Sequence, residues 1–273
     1  MEALKAIDRW PVAHAAVAVV GAGGVLATRG PTALPLRIAS VSKLLTAYAL
    51  MIAVEEGTVA LADPAGPPGS TLRHLLAHAS GYGFDSTASA LAPPGTRRIY
   101  SNRGIEEAAA HLATVAGMPF ATYLHEAVLE PLGLADTTLR TSAAFGIWST
   151  VDDLARFAGE LFAPRLLAPA TSGEMVTVQF PGLSGVLPGV RRYDPLDWGL
   201  GFERNFATPG HWAGERVSRA TYGHFGGSGT FLWLDPVAGL AVVMLADREF
   251  DEWGLAAWPS FCDAVVAEHT GRA

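Results

Sequence analysis

The sequence predicts an α/β fold of the α+β kind: an antiparallel sheet of about five strands flanked by helices, with an all-helical subdomain inserted into it. Three observations carry this expectation. Strand signals cluster at the two ends of the chain, whereas residues 61–190 alternate helical patterns with turn signals. Hairpin-type turns, Gly21-Ala22-Gly23-Gly24 and Asp235-Pro236-Val237-Ala238-Gly239, join pairs of the terminal strands. The run from Leu44 to Val54 is apolar on nearly every side, the pattern of a helix enclosed in a core. The resulting division is discontinuous, with 1–60 and 191–273 forming the sheet domain and 61–190 the helical one.

Taken in order, Met1 to Trp10 is a short amphipathic helix and Val12 to Val20 a strand. The latter run is too short to span a bilayer, its flank is mixed in charge, and Pro11 and His14 interrupt it, so it is not read as a signal peptide. A cytoplasmic location is the corresponding expectation. Val25 to Thr28 is the second strand. The intervening glycines match a dinucleotide loop poorly, because Leu26 stands where the third glycine belongs and a strand follows instead of a helix.

The buried helix stops at Gly57, and the chain turns proline- and glycine-rich from Asp63 to Ser70. Ser70 or Thr71 caps a helix through Ala79 that carries His74 and His78 one turn apart. No third ligand is in register, so both are read as structural and neither metal nor cofactor is expected. After the turn Pro93-Pro94-Gly95, Tyr100-Ser101-Asn102 precedes a helix from Gly104 to Ala116, where Asn102 as an N-cap and Tyr100 as a packing residue are sufficient local roles. A helix from Phe120 to Leu129 ends at Pro131-Leu132-Gly133. Another starts at Ser149-Thr150-Val151-Asp152-Asp153, whose aspartates suit a helix N-terminus. Trp198 to Arg204, Thr230 to Asp235 and Leu240 to Ala246 are the remaining strands, and Asp251 to His269 is the last helix.

Composition narrows the function. Half of the 273 residues are hydrophobic, the formal charge is -7, and there is no basic run, so no nucleic-acid partner and no membrane partner are expected. The single cysteine, Cys262, excludes an internal disulfide and lies in an apolar stretch that suits a buried, inert thiol.

The chemistry concentrates at Ser40 and Lys43. A spacing of three residues on a helix brings the hydroxyl and the amine to one face, a nucleophile beside a base. Ser40 as a helix cap and Lys43 as a snorkelling surface residue would account for the pair without chemistry. Against this, only two of the 19 basic residues are lysines, and a primary amine can lose its proton on desolvation whereas a guanidinium cannot. Further on, Gly223-His224-Phe225-Gly226-Gly227-Ser228-Gly229 exposes backbone N–H groups to a developing oxyanion, or else forms a glycine-rich strand edge.

Together, Ser40-Val41-Ser42-Lys43, Tyr100-Ser101-Asn102 and His224-Phe225-Gly226 resemble the three motifs of the serine β-lactamase and penicillin-binding protein superfamily. The resemblance is to its branch of class C β-lactamases, D-alanyl-D-alanine carboxypeptidases and family VIII esterases, and it extends to Leu75 through Gly81 and Glu130 through Leu134. It implies a groove between sheet and helical subdomain, with Ser40 acylated, Lys43 and Tyr100 sharing its activation, and Asn102 orienting lysine and substrate. It also implies an oxyanion hole from the N–H groups of Ser40 and Gly227, with Phe145, Phe225 and Gly226 at the substrate and His224 where many relatives carry lysine. A neutral His224 and a Phe225 without a hydroxyl weaken recognition of a substrate carboxylate at this motif. The expected function is therefore hydrolysis of small carboxylic esters through an acyl-enzyme. Hydrolysis of β-lactams or D-amino-acid peptides and amides is the alternative within the class, and a catalytically silent binding protein the alternative outside it. The partner is a small-molecule ester or amide, and the sequence fixes no oligomeric state.

Overall fold

The computed structural model describes residues 1–85 and 89–271. Its strands are β1 (Ala15–Gly21), β2 (Gly24–Arg29), β3 (Leu36–Arg37), β4 (Arg98–Ile99), β5 (Thr138–Leu139), β6 (Ile147–Ser149), β7 (Gly185–Leu187), β8 (Arg191–Tyr193), β9 (Tyr222–Gly226), β10 (Thr230–Asp235) and β11 (Leu240–Ala246). The α-helices are α1 (Ser42–Glu55), α2 (Leu72–Leu76), α3 (Asn102–Ala116), α4 (Phe120–Leu124), α5 (Val151–Phe162), α6 (Pro169–Val176) and α7 (Glu252–Thr270), and a 3-10 helix spans Glu2–Arg9. The fold is mixed α/β, as the sequence predicts.

Five antiparallel strands form the main sheet in the order β2-β1-β11-β10-β9. Alternate residues serve opposite faces, so Ala16, Ala18, Val20, Val243 and Leu245 pack in one core with α1 and α5, while Val17, Val19, Val242 and Met244 pack with α7 in the other. Both faces are covered. This explains why these strands read as continuous apolar runs rather than as alternating ones.

One strand differs from the sequence expectation. Trp198 to Arg204 is not a strand, because Gly201 adopts a left-handed backbone (φ 83°) and the segment reverses on itself, Gly199 N–H donating to Phe202 O at 2.7 Å. The fifth strand is β9, the segment left open between a glycine-rich edge and an anion-binding loop. Gly223 and Gly226 permit its pairing, since a Cβ on either would lie within 2.4 Å of neighbouring atoms.

Nor is the inserted region all-helical. Short strands β4, β5, β6 and β7 from it, with β3 and β8 from outside it, build two three-stranded sheets, β3-β6-β5 and β4-β7-β8. Two- and three-residue strands carry too few side chains for an alternating pattern to register. Helix α5 lies on the main sheet against β1 and β11, so the sheet takes part of its cover from within 61–190. The helix expected through Ala79 ends at Leu76, and that expected from Phe120 to Leu129 changes from α4 into a π-helical turn at His125–Leu129.

Among the described residues, no helix is long and apolar enough to cross a membrane. Cys262 is free and buried, and burial pushes its thiol up.

Candidate active site

Helix α1 sets the site. Its residues from Ser42 to Ala53 are all buried, and a fully enclosed Leu or Ile contributes about 1.5–3 kcal/mol, so the helix is an anchored core element. Ser40 precedes it in a one-turn 3-10 segment, Ala39–Val41, and does not cap it. Ala39 holds φ 43°, a strained conformation for a non-glycine residue immediately before the serine.

The three-residue spacing brings Lys43 Nζ to 3.0 Å from Ser40 Oγ. The amine is fully buried and also donates to Asn102 Oδ1 at 2.7 Å and to the Ala144 carbonyl at 2.9 Å. No carboxylate pairs with it among the described residues. Burial therefore holds its pKa well below the ordinary lysine value, Asp85 and Glu106 opposing from a distance.

Ser101, rather than Asn102, caps α3: its Oγ accepts from Gly104 N–H at 3.0 Å and donates to Gly83 O at 2.7 Å. Asn102 becomes the first helical residue and its carboxamide is free to turn inward. Its Nδ2 donates to Asp85 Oδ1 at 2.8 Å, an obligate acceptor, which fixes the Oδ1 toward Lys43.

Tyr100 lies 3.2 Å from His224 Nε2 through its hydroxyl. His224 Nδ1 donates to the Phe225 carbonyl at 2.6 Å, and burial lowers its pKa to about 3, so the ring is neutral and Nε2 has only a lone pair to offer. The phenol must donate. Burial raises the Tyr100 pKa, the Ser40 hydroxyl opposing.

His78 brackets this tyrosine. Its carbonyl accepts from Ile99 N–H at 2.9 Å, its Nδ1 accepts from Ser101 N–H at 3.1 Å, and its ring packs on that of Tyr100 at 4.5 Å between centroids. Nδ1 must be unprotonated to accept, and burial keeps the ring neutral. His74 does separate work, accepting from Thr71 N–H at 3.3 Å in a capping box. The i, i+4 histidine pair is thus divided between two local tasks.

A cavity of about 100 Å³ is lined by Ser40, Phe84, Tyr100, His224, Phe225 and Gly227, together with Leu187 and Pro188. Ser40, Tyr100, His224 and Gly227 share this lining, and Lys43 and Asn102 join the group behind it through the Lys43 bonds to Ser40 Oγ and Asn102 Oδ1. Gly226 does not line it. A Cβ there would sit 2.3 Å from Ile38 O, so this glycine serves the close approach of β9 to the serine-bearing segment. Phe145 lines a separate depression with Asp85 and Glu106, and its segment reaches the site through the Ala144 carbonyl. No signal in the sequence marks that carbonyl, Asp85 or Phe84, because backbone acceptors and loop residues have no distinguishing spacing.

The Beta-lactamase family model matches residues 11–259. Over 143 residues the chain is 31% identical to the D-alanyl-D-alanine-carboxypeptidase/endopeptidase AmpH of Escherichia coli strain K12, the match covering 39% of this chain and 37% of that protein. The chain thus matches little more than a third of that relative's length. Among solved structures, a β-lactamase from Mycobacterium bovis is 53% identical with a TM-score of 0.95, covering 98% of this chain and 99% of that one. EstCE1, described as a hydrolase with promiscuous acyltransferase activity, shares the fold at 20% identity and a TM-score of 0.76, covering 97% and 96% of the two chains.

Proposed function

Because the chain belongs to the beta-lactamase family, we propose that it is a serine hydrolase acting through an acyl-enzyme on small carboxylic esters, with Ser40 as nucleophile and Lys43 as its base. The observation that carries this is the set of three partners around Lys43 Nζ. Asn102 Oδ1 and the Ala144 carbonyl can only accept, so a neutral amine gives them its two N–H bonds and turns its lone pair to Ser40 Oγ. Burial without a carboxylate partner among the described residues supplies the neutral amine.

In the acylation step the Ser40 Oγ–H proton passes to Lys43 Nζ as Oγ bonds to the substrate carbonyl carbon. The carbonyl oxygen takes the negative charge and is met by the N–H groups of Ser40 and Gly227. The tetrahedral intermediate collapses, the bond to the leaving alkoxide breaks, and the Lys43 ammonium returns the proton to it. Water then attacks the acyl-enzyme by the same route in reverse. Tyr100, a phenol whose proton is committed to His224, is a hydrogen-bonding neighbour of Ser40 rather than the resting base.

Small esters are favoured by the tight cavity at Ser40 and by a third motif without a cation or hydroxyl to hold a carboxylate. Hydrolysis of β-lactams or D-amino-acid peptides is a second reading, supported by the 53% identity to the Mycobacterium bovis protein and the partial match to AmpH.

The test is intact-protein mass after brief exposure to p-nitrophenyl acetate and to a phosphonate inhibitor. One adduct is expected on the wild type and none on Ser40→Ala, with p-nitrophenol released beyond one equivalent. Lys43→Arg keeps charge but cannot act as a base, and should lower kcat/KM by about 10³-fold. Near-normal turnover by Lys43→Arg would refute the base assignment, and absence of any adduct on folded protein would favour a silent binding protein. Faster turnover of a chromogenic cephalosporin or a D-alanyl-D-alanine peptide than of esters would favour the second reading.

A further inference from the structure

The cavity at Ser40 adjoins a larger compartment of about 390 Å³, the two sharing Phe84, Tyr100 and Pro188 as walls. Its floor is built by the small sheet β4-β7-β8. Ile99 pairs with Val186, and Val186 with Arg192, so these three side chains stand in register across the sheet. Arg97 lies two residues before Ile99 and lines the same compartment.

The charges here are unusual for a chain with a formal charge of -7. Arg97 and Arg192 are exposed, and neither forms an ion pair among the described residues; the recorded side-chain bond of Arg192 is to Ser184 Oγ at 3.1 Å. Arg98 between them in sequence is buried and satisfied by carbonyls alone, including those of Leu196 at 3.0 Å and Gln179 at 2.6 Å, with Asp197 beyond contact distance. Two guanidinium-bearing residues without a contacting carboxylate among the described residues, Arg97 and Arg192, therefore line one apolar-walled compartment, while the guanidinium of Arg98 is committed to carbonyls in the interior. Low-dielectric walls concentrate such a field, and arginine presents a planar fork suited to a carboxylate.

We propose that this compartment holds an anionic end of the substrate, a carboxylate carried on an apolar stem that starts at the scissile carbonyl in the Ser40 cavity, with Arg97 and Arg192 as its specificity-determining residues. The reading rests on the serine hydrolase assignment and sharpens its substrate class. Anion recognition has moved from the third motif, where His224 is neutral and Phe225 has no hydroxyl, to the edge of β4 and β8.

Two matched pairs of esters test it, because the anion can lie on either side of the scissile bond. On the acyl side, the 4-nitrophenyl monoester of adipic acid is compared with 4-nitrophenyl hexanoate. On the leaving side, 4-acetoxybenzoate is compared with its methyl ester. In one arm kcat/KM should favour the anion by about tenfold at low ionic strength, and the advantage should shrink at high salt. In Arg97→Gln/Arg192→Gln the ratio should collapse to about one, whereas Arg216→Gln, elsewhere on the surface, keeps the wild-type ratio. A ratio near one in both arms, or one that survives the double substitution, overturns the proposal. Calorimetric binding of 4-phenylbutyrate against 4-phenylbutyramide needs no turnover, and the acid should bind several-fold more tightly to the wild type but not to the double variant. Equal binding of acid and amide overturns the proposal even where esters are hydrolysed. Tighter acid binding without hydrolysis sustains the anion site and removes the hydrolase reading instead.

Discussion

At the scale of single residues, the site is a set of proton positions fixed by acceptors that have no choice. Asp85 orients Asn102, Asn102 and Ala144 orient Lys43, and the Phe225 carbonyl sets the tautomer of His224, which in turn sets the proton of Tyr100. His78 belongs to this chain as a positioning residue, since it holds the backbone on both sides of Tyr100 without touching the nucleophile. His78→Phe keeps a ring against Tyr100 but leaves Ser101 N–H without its acceptor, a cost of about 1–3 kcal/mol. We expect kcat to fall by about tenfold or more with KM little changed, and His78→Asn, whose Oδ1 can take the place of Nδ1, to recover much of the loss. Equal loss of kcat in both variants, tracking stability alone, would reduce His78 to a packing residue.

At the scale of elements, the decisive contact is between the segment before α1 and the sheet. Ile38 O accepts from Thr230 Oγ1 at 3.0 Å, Arg37 O accepts from Ser228 Oγ at 2.6 Å, and Gly226 closes the remaining gap. These contacts hold Ser40 and Gly227 at the lining of one cavity. Gly226→Ala would force a Cβ to 2.3 Å from Ile38 O and 2.4 Å from Thr230 Oγ1, both held by other bonds. Overpacking of this kind costs about 1–3 kcal/mol, and here it also moves apart Ser40 and Gly227, the nucleophile and oxyanion donor of our proposal. Denaturant melts and ester kinetics on this variant should show both stability and kcat reduced. If kcat is unchanged while stability falls, β9 and the serine segment are not coupled as described.

At the scale of the whole molecule, His78 and His224 make stability pH-dependent. Both are buried and neutral, with folded pKa values below the ordinary histidine value, that of His224 at about 3. The unfolded chain takes up these protons near pH 6.5, so it binds more protons than the folded chain at lower pH. Their contribution is present above pH 6.5 and is lost as pH falls below it, for His224 down to about 3. Each histidine should remove about 1.4 kcal/mol per pH unit once the pH is well below 6.5. Urea melts at pH 7.5, 6.0 and 5.0 should give progressively lower midpoints at unchanged m-value. A flat profile over that interval would mean that the rings are protonated in the folded protein.

Much of this was legible in the sequence, and the division between legible and hidden has a physical basis. The sequence by itself determined the buried helix, four of the five main strands and the pairing of Ser40 with Lys43, because each depends on local periodicity, on turn residues or on a one-turn spacing. It also placed Tyr100, Asn102 and His224 in named motifs, through likeness to a family. What it left undecided depends on partners far apart in the chain. Gly201 turns an apparent strand into a reversal, β9 becomes a strand only by pairing with β10, and the short strands of the inserted region exist only as parts of sheets. The same holds for proton positions. Whether Lys43 or Tyr100 is the resting base was open in the sequence, since burial and acceptor geometry around a titrating group are properties of the packed structure. Our proposal of a desolvated amine as the base rests on that packing, which surrounds Lys43 with carbonyl acceptors from α3 and from Ala144 and with no carboxylate in contact among the described residues.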